Sequence, residues 1–324
     1  MSDPVLSVYE FDGQGLGLSL SGDGAVEKVK SNESITWLHL DAVHPDSREW
    51  LHRNVAYLDQ LTLDALLADE TRPRITEFKE GLLVILRGVN LNENEEPEDM
   101  ISIRLWIDEY RIISTRRRRL KAIQDIRARL EEGSGPKNTA EFLVMLITRL
   151  FQRMEPVLLE LDQRTDDVEE KILEQPDTGC RHEIVDIRKK AIMLRRYIAP
   201  QKDVIAYLRA CEISWIDSLH RRQFQENQDR VTRYVEDLDA IRERAQIVKD
   251  ELANILADRM NRNMYVLSIV AAIFLPLGFV TGLLGINVGG MPGADNDIAF
   301  WIVCAVCAGF IVLLTIIFRW LKWF

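Results

Sequence analysis

Charge is missing from two long stretches of this 324-residue chain. No Asp, Glu, Lys or Arg lies between Met264 and Ala294, and none between Ile298 and Phe318. Elsewhere the chain is 28% charged with a formal charge of -10, so a mean hydropathy of -0.09 conceals a sharp segregation. A bilayer core of about 30 Å takes about 20 helical residues, and backbone groups in lipid must bond within a helix. Two transmembrane helices are therefore predicted, at 264–286 and 298–318, joined by a loop at 287–297. Cysteine is scarce too: four residues without a disulfide framework fit a reducing compartment. The first residues, MSDPVLSVYEFDGQG, have no basic and apolar leader pattern, so no cleaved signal is expected. There is no Gly-x4-Gly-Lys-Ser/Thr loop to bind the phosphates of a nucleotide. No Ser/His/Asp or Cys/His set suggests catalysis, which points away from an enzyme.

The charges that flank the apolar stretches set an orientation. Arg259 and Arg262 precede the first, and Arg319 and Lys322 follow the second, whereas the loop carries only Asp295 and Asp297. Basic residues stay on the cytoplasmic side, so both termini are expected inside and the loop outside. Residues 1–131 read as a mixed α/β domain. ITWLHLDAV (35–43), GLLVILRGV (81–89), ISIRLWI (101–107) and RIISTR (111–116) look like strands, the last two joined by a turn at 108–110. LDQLTLDALLADE (58–70) has helical spacing, with Leu58, Leu61, Ala65 and Leu66 on one side. NENEEPED (92–99) is an acidic loop between strands, and GQGLGL (13–18) a hairpin turn. EEGSGPKNT (131–139) ends a basic helix and marks a domain boundary.

Residues 138–263 are predicted to form a helical stalk. From Gln201 to Leu275 there is neither glycine nor proline. One helix over most of Trp215 to Gly285 would be roughly 105 Å long at 1.5 Å per residue, far beyond the needs of one span. Val231, Leu238, Ala245 and Leu252 recur every seven residues, as do Tyr234, Ile241, Val248 and Ile255, which is an a/d seam. A second stripe, Asp250, Asn254, Ala257 and Asn261, runs on at the same spacing through Met264, Ser268, Ala271, Leu275, Gly278 and Gly282 towards Asn287. It reads either as a solvated outer face or as the lining of a water-filled axis. A chain with two spans would need several copies around such an axis.

IFLPLGFVTGLLGINVGGMPG, with its Gly285-Ile286-Asn287 tripeptide, resembles the first transmembrane helix and signature loop of the CorA superfamily of divalent-cation transporters. The resemblance covers essentially the whole chain. NVGGMPG, STR followed by basic residues (114–119), ETRPRI (70–75) and MLRRYIAPQKDV (193–204) are similar to the zinc-transporting ZntB branch. The magnesium branch has an aromatic residue after the asparagine and an acidic loop motif, where this chain has Val288 and MPGADND. The resemblance implies a funnel-shaped homopentamer in a bacterial inner membrane, multi-pass, with a cytoplasmic tail at 319–324. It implies a pore lined by the first span and a selectivity element at Gly285, Ile286 and Asn287. Leu267 and Leu275, the latter ahead of Pro276, match constricting residues, Asn261 a polar ring at the inner mouth and Asp250 a regulatory metal ligand. Gly278 would stand on the lining. No stably bound cofactor is implied; the partners are copies of the chain, the bilayer, divalent cations with zinc foremost, and protons. Nucleic acid is not among them.

Five asparagine side-chain carbonyls around an axis are neutral acceptors, able to hold a partly hydrated cation yet release it. Asp295 and Asp297 either concentrate cations outside or are solvated turn residues. Cys180, His182 and Glu183, with Cys211 brought near, are candidate zinc ligands, although zinc sites take three or four; Cys304 and Cys307 fit packing better than ligation. The run Arg116 to Arg119 could meet nucleic acid or lipid headgroups, but at the start of a helix in an acidic chain it reads rather as a solvated face or an intersubunit ion-pair partner. Two alternatives stay open: a magnesium or cobalt channel, and a membrane-anchored coiled-coil scaffold or sensor.

Overall fold

Alternating apolar residues near the N-terminus make β1 (Val5–Phe11), which turns back as β2 (Gly17–Leu20). Helix α1 (Asp23–Lys30) then leads to β3 (Thr36–Asp41), which lies antiparallel to β1. Helices α2 (Ser47–Asn54) and α3 (Gln60–Leu67) follow, the second capped by Asp59, whose carboxylate accepts the Thr62 N–H at 2.7 Å. Strands β4 (Arg74–Phe78), β5 (Gly81–Gly88), β6 (Ile101–Ile107) and β7 (Arg111–Arg116) form an antiparallel meander. Strand β7 closes parallel to β3, Thr36 opposite Arg111 and Leu40 opposite Thr115, giving one seven-stranded sheet ordered β2-β1-β3-β7-β6-β5-β4. The chain continues as α4 (Lys121–Glu131), α5 (Thr139–Glu174), α6 (Thr178–Ala210), α7 (Ser218–Leu284) and α8 (Ala299–Trp320). This computed structural model describes residues 3–21, 23–31, 33–69, 71–174, 177–285 and 298–320.

Successive strand residues face opposite sides, and both sides of this sheet are covered. Leu38, Leu40, Leu83, Trp106 and Ile113 share a core with Ala25, Val29, Leu51, Leu63 and Leu66 of α1 to α3. On the other side Trp37 meets Phe142 of α5 edge-on at 4.8 Å and stacks on Tyr9 at 5.7 Å. The approach of α5 needs Gly88: a Cβ there would sit 2.6 Å from the Leu150 methyl carbon. Residues up to Asp250 thus form one compact unit, and those from Glu251 onward another. Residues 131–139 do end α4 and precede α5, but both helices belong to the same unit as the sheet.

Two details differ from the sequence expectation. Leu61 is 77% exposed, whereas Thr62 and Leu63 are buried. The Asp59 cap leaves Leu58 outside α3, and the inward face of the helix is made by Thr62, Leu63, Ala65 and Leu66 rather than Leu61. The single helix expected over most of Trp215 to Gly285 is present as α7. The glycine-free region before it breaks after Ala210, where Cys211 takes an extended conformation, and α7 starts at Ser218 because Asp217 accepts the His220 N–H at 2.9 Å. Finally β1, β2 and β4 join the four expected strands.

One of the buried titratable groups of the sheet is a histidine. His39 is fully buried, its Nδ1 2.7 Å from the Ser114 hydroxyl, which also accepts the Trp37 indole N–H at 2.8 Å. Burial first, then the positive charge of Arg116 and Arg127, pushes its pKa down to about 3. A depressed histidine stabilises the fold above its unfolded pKa of about 6.5, and that stability is lost as pH falls from there towards the folded value, by about 1.4 kcal/mol per unit. Acid unfolding of His39→Gln is therefore expected to have a shallower limb between about pH 6 and 4, measured by urea midpoints across pH.

Candidate ion pathway

The soluble part of α7 uses its apolar seam within its own chain. Val231, Leu238, Ala245, Leu252, Tyr234, Ile241 and Val248 are all buried, and Ile255 is half-buried. Tyr234 meets the Phe151 ring edge-on at 6.1 Å and donates to the Phe151 carbonyl at 3.4 Å. Asn227 donates to the Thr148 hydroxyl at 3.1 Å. Arg244 reaches three carboxylates of α5, at 3.0 Å from Asp162, 2.8 Å from Glu169 and in contact with Asp166. Bonds to Glu169 and Asp166 hold its guanidinium pKa above the ordinary value. Arg195 of α6 pairs with Asp239 at 2.7 Å. With that face occupied by α5 and α6, the other face of α7 stays uncovered.

That other face carries the stripe. Asp250, Asn254, Ala257, Asn261, Met264, Ser268, Leu275, Gly278 and Gly282 are exposed. Both Asp250 oxygens accept from Gln246 Nε2 at 2.9 Å. A Cβ added at Gly278 or Gly282 would meet nothing within 4 Å, and the two glycines stand four residues apart, the spacing that lets helices approach closely in lipid. Ser268 and Thr281 donate back to the carbonyls of Met264 and Leu277, each at 2.9 Å. These bonds satisfy the hydroxyls inside the helix, as an apolar surrounding demands. Leu267, 65% exposed, stands apart: at 3.6 residues per turn it lies roughly 80° around the helix from Leu275. At Gly285 the N–H bonds to the Thr281 and Gly282 carbonyls at 2.9 and 3.2 Å, closing the helix. Ile286, Asn287, Asp295 and Asp297 lie outside the described residues.

The candidate zinc ligands are not brought together. Cys180 is buried in the first turn of α6, and Cys211 caps its other end, roughly 45 Å away along the helix axis. The expected neighbour is thus excluded by the length of a single unbroken helix. Glu183 lies 3.8 Å from Lys171, and the Cys211 thiol donates to the Leu208 carbonyl at 3.3 Å. No group of three His, Cys, Asp or Glu side chains suited to a metal ion occurs among the described residues. The arginine run is engaged within the chain: Arg117 pairs with Asp69 at 2.5 Å and Arg118 with Glu95 at 3.3 Å.

Both α7, over its last turns, and α8 are long and apolar enough to cross a membrane. A mixed α/β unit whose last helix runs on into an uncharged span, with a second such helix after it, is the architecture of a membrane protein with two spans. The family model described as "CorA-like Mg2+ transporter protein" matches residues 32–320, and the chain belongs to that family. Its members are ion transporters, and this chain is a transporter rather than an enzyme. Among curated relatives it is 39% identical over 332 aligned positions to the divalent cation transporter CmaX of Pseudomonas aeruginosa, covering 98% of this chain and 100% of the relative. It is 36% identical over 322 positions to the zinc transport protein ZntB of Yersinia enterocolitica, covering 99% and 95%. Among solved structures, full-length CmaX superposes with a TM-score of 0.86 at 38% identity, covering 100% of this chain and 99% of that one.

Proposed function

We propose that this protein moves zinc inward across a bacterial inner membrane as a homopentamer, with both termini in the cytoplasm. The observation that carries the reading is the uncovered stripe of α7, polar from Asp250 to Asn261 and small at Gly278 and Gly282, on a helix whose apolar seam is already occupied by its own chain. A membrane tether would not need such a face. Around an axis, five copies of the stripe would line a pathway that ends at Gly285, Ile286 and the Asn287 ring. Leu275 would form a constriction within it, and Leu267 would do so only if α7 rotates. Asn261 would be the inner polar ring, Asp250 a charge at its cytoplasmic mouth, and Asp295 and Asp297 the outer cation attractors. A divalent ion entering an interior-negative cell gains about 4.6 kcal/mol per 100 mV, twice the single-charge figure, so inward flux needs no nucleotide. Similarity to a zinc transporter at 36% identity and the replacement of the acidic loop motif by MPGADND support zinc over magnesium.

The test is uptake into proteoliposomes containing a fluorescent zinc indicator, with magnesium run in parallel. Zinc flux several-fold above magnesium, rising with an inward proton gradient, is the expected result. Neither span contains a carboxylate or histidine, so coupling would act through the loop, the soluble unit or the ion's own water. Magnesium flux alone would move the protein to the magnesium branch, and flux indifferent to the gradient would remove the coupling.

A further inference from the structure

The soluble unit contains a polar cavity of about 350 Å³ whose wall includes Arg87, Ser102, Arg117, Arg118, Met193 and Tyr197. Behind the wall stands Arg104 of β6, a wholly buried side chain. Its Nη2 donates to the carbonyls of Ala68 and Asp69 at 2.6 and 3.3 Å, but Nε and Nη1 have no hydrogen-bond partner. Burial, then the nearby charges of Arg117 and Arg87, pushes its pKa down to about 10, with Asp69 acting the other way. A buried guanidinium with unmet donors is costly unless an anion comes near it.

Three arginines line this cavity, and of its carboxylates Asp69 and Asp99 are exposed while the buried Glu98 is answered by Lys190. Arg87 is tied to the Thr71 and Met100 carbonyls, each at 2.9 Å, and lies 3.9 Å over the Tyr197 ring. The partners of Arg117 and Arg118 are Asp69, 82% exposed, and Glu95, 41% exposed, both on loops. Exposed pairs of this kind contribute little and exchange readily for a better anion. Asp99 on the wall is exposed, and the buried Glu98 has Lys190 at 3.5 Å. Planar guanidinium forks match the several oxygens of a phosphate, and Met193 and Tyr197 offer an apolar wall beside them.

We propose that this cavity binds a soluble phosphate ester, its phosphate between Arg117 and Arg118 in the field of Arg104 and its organic part against Met193 and Tyr197. The site belongs to the soluble unit and is independent of the ion assignment. The test is calorimetric titration of the full chain in detergent with ADP, with pyrophosphate and vesicles containing phosphatidylglycerol as further arms. Saturable ADP binding, one per chain, weakened at least about tenfold by the double substitution Arg117→Ala, Arg118→Ala is expected, the loss that goes with charge-assisted hydrogen bonds. No heat with either ADP or pyrophosphate, full affinity in the double variant, or a response confined to the vesicles would overturn the proposal. If the double alanine variant does not fold, Arg117→Lys, Arg118→Lys keeps the charge and loses the forks. Weakened ADP binding then supports the site, and unchanged binding refutes it.

Discussion

Asn287→Ala is expected to lower zinc flux into proteoliposomes by at least about tenfold, with the melting temperature of the soluble unit unchanged. The proposed ring gives the entering ion neutral oxygens in exchange for part of its water. A hydrogen bond to a charged partner contributes about 1.5–3 kcal/mol, so removal of that acceptor from every copy raises the barrier to entry by at least one decade in rate. Asn287→Asp tests the same idea from the other side. A ring of carboxylates would hold a divalent ion too firmly to release it, so half-saturation should fall to lower zinc while maximal flux also falls. Flux that survives Asn287→Ala at the parental rate removes the asparagine from the pathway.

The second large effect concerns the fold. Phe142→Ala should cost about 3–5 kcal/mol, the usual penalty for deleting a buried aromatic ring. Phe142 is 0% exposed and lies edge-on to Trp37, itself fully buried, so the cavity would open between α5 and the sheet. For a unit of this size, 1 kcal/mol moves the midpoint by about 2–4 °C, which predicts a fall of roughly 6–20 °C. The shape of the transition carries further information. If the sheet and the stalk helices form one cooperative unit, circular dichroism and tryptophan fluorescence will shift together. A helical transition left in place while the fluorescence moves would mean that residues 1–131 and 138–263 unfold as separate domains, the division expected from the EEGSGPKNT segment.

The central strands were legible because they are buried runs rich in isoleucine, leucine and valine: ISIRLWI and RIISTR coincide with β6 and β7, and GLLVILRGV contains β5. The strands that sequence reading missed are β1 and the two edges, β2 and β4. Edge strands are short and carry charge to discourage further pairing; RITEF alternates, but with Arg74 and Glu77 among its five residues it looks like a loop. Leu61 was misassigned because Leu58, which precedes the Asp59 cap, was counted on the helical face and drew that face towards Leu61 and away from Leu63. The seam and the stripe of α7 were both readable from heptad spacing, but the identity of the seam's partner was not. That depends on α5 folding back along α7, a contact between residues about eighty positions apart. In the candidate site, periodicity placed Asp250, Asn261, Leu275 and Gly278 on one face. Nothing in periodicity ruled out Cys211 as a neighbour of Cys180; only the unbroken length of α6 does so.

Pro276 sits inside α7 and has no N–H to give to the carbonyl four residues before it, that of Ala272. In water such an oxygen is simply hydrated. In hydrocarbon it is a bare dipole that costs several kcal/mol until something polar reaches it. An isolated copy of this helix in lipid would thus carry a persistent thirst at mid-membrane depth. In the proposed pentamer a wet pathway between neighbouring helices would relieve it, so that one missing hydrogen bond would favour the assembled state over the single chain.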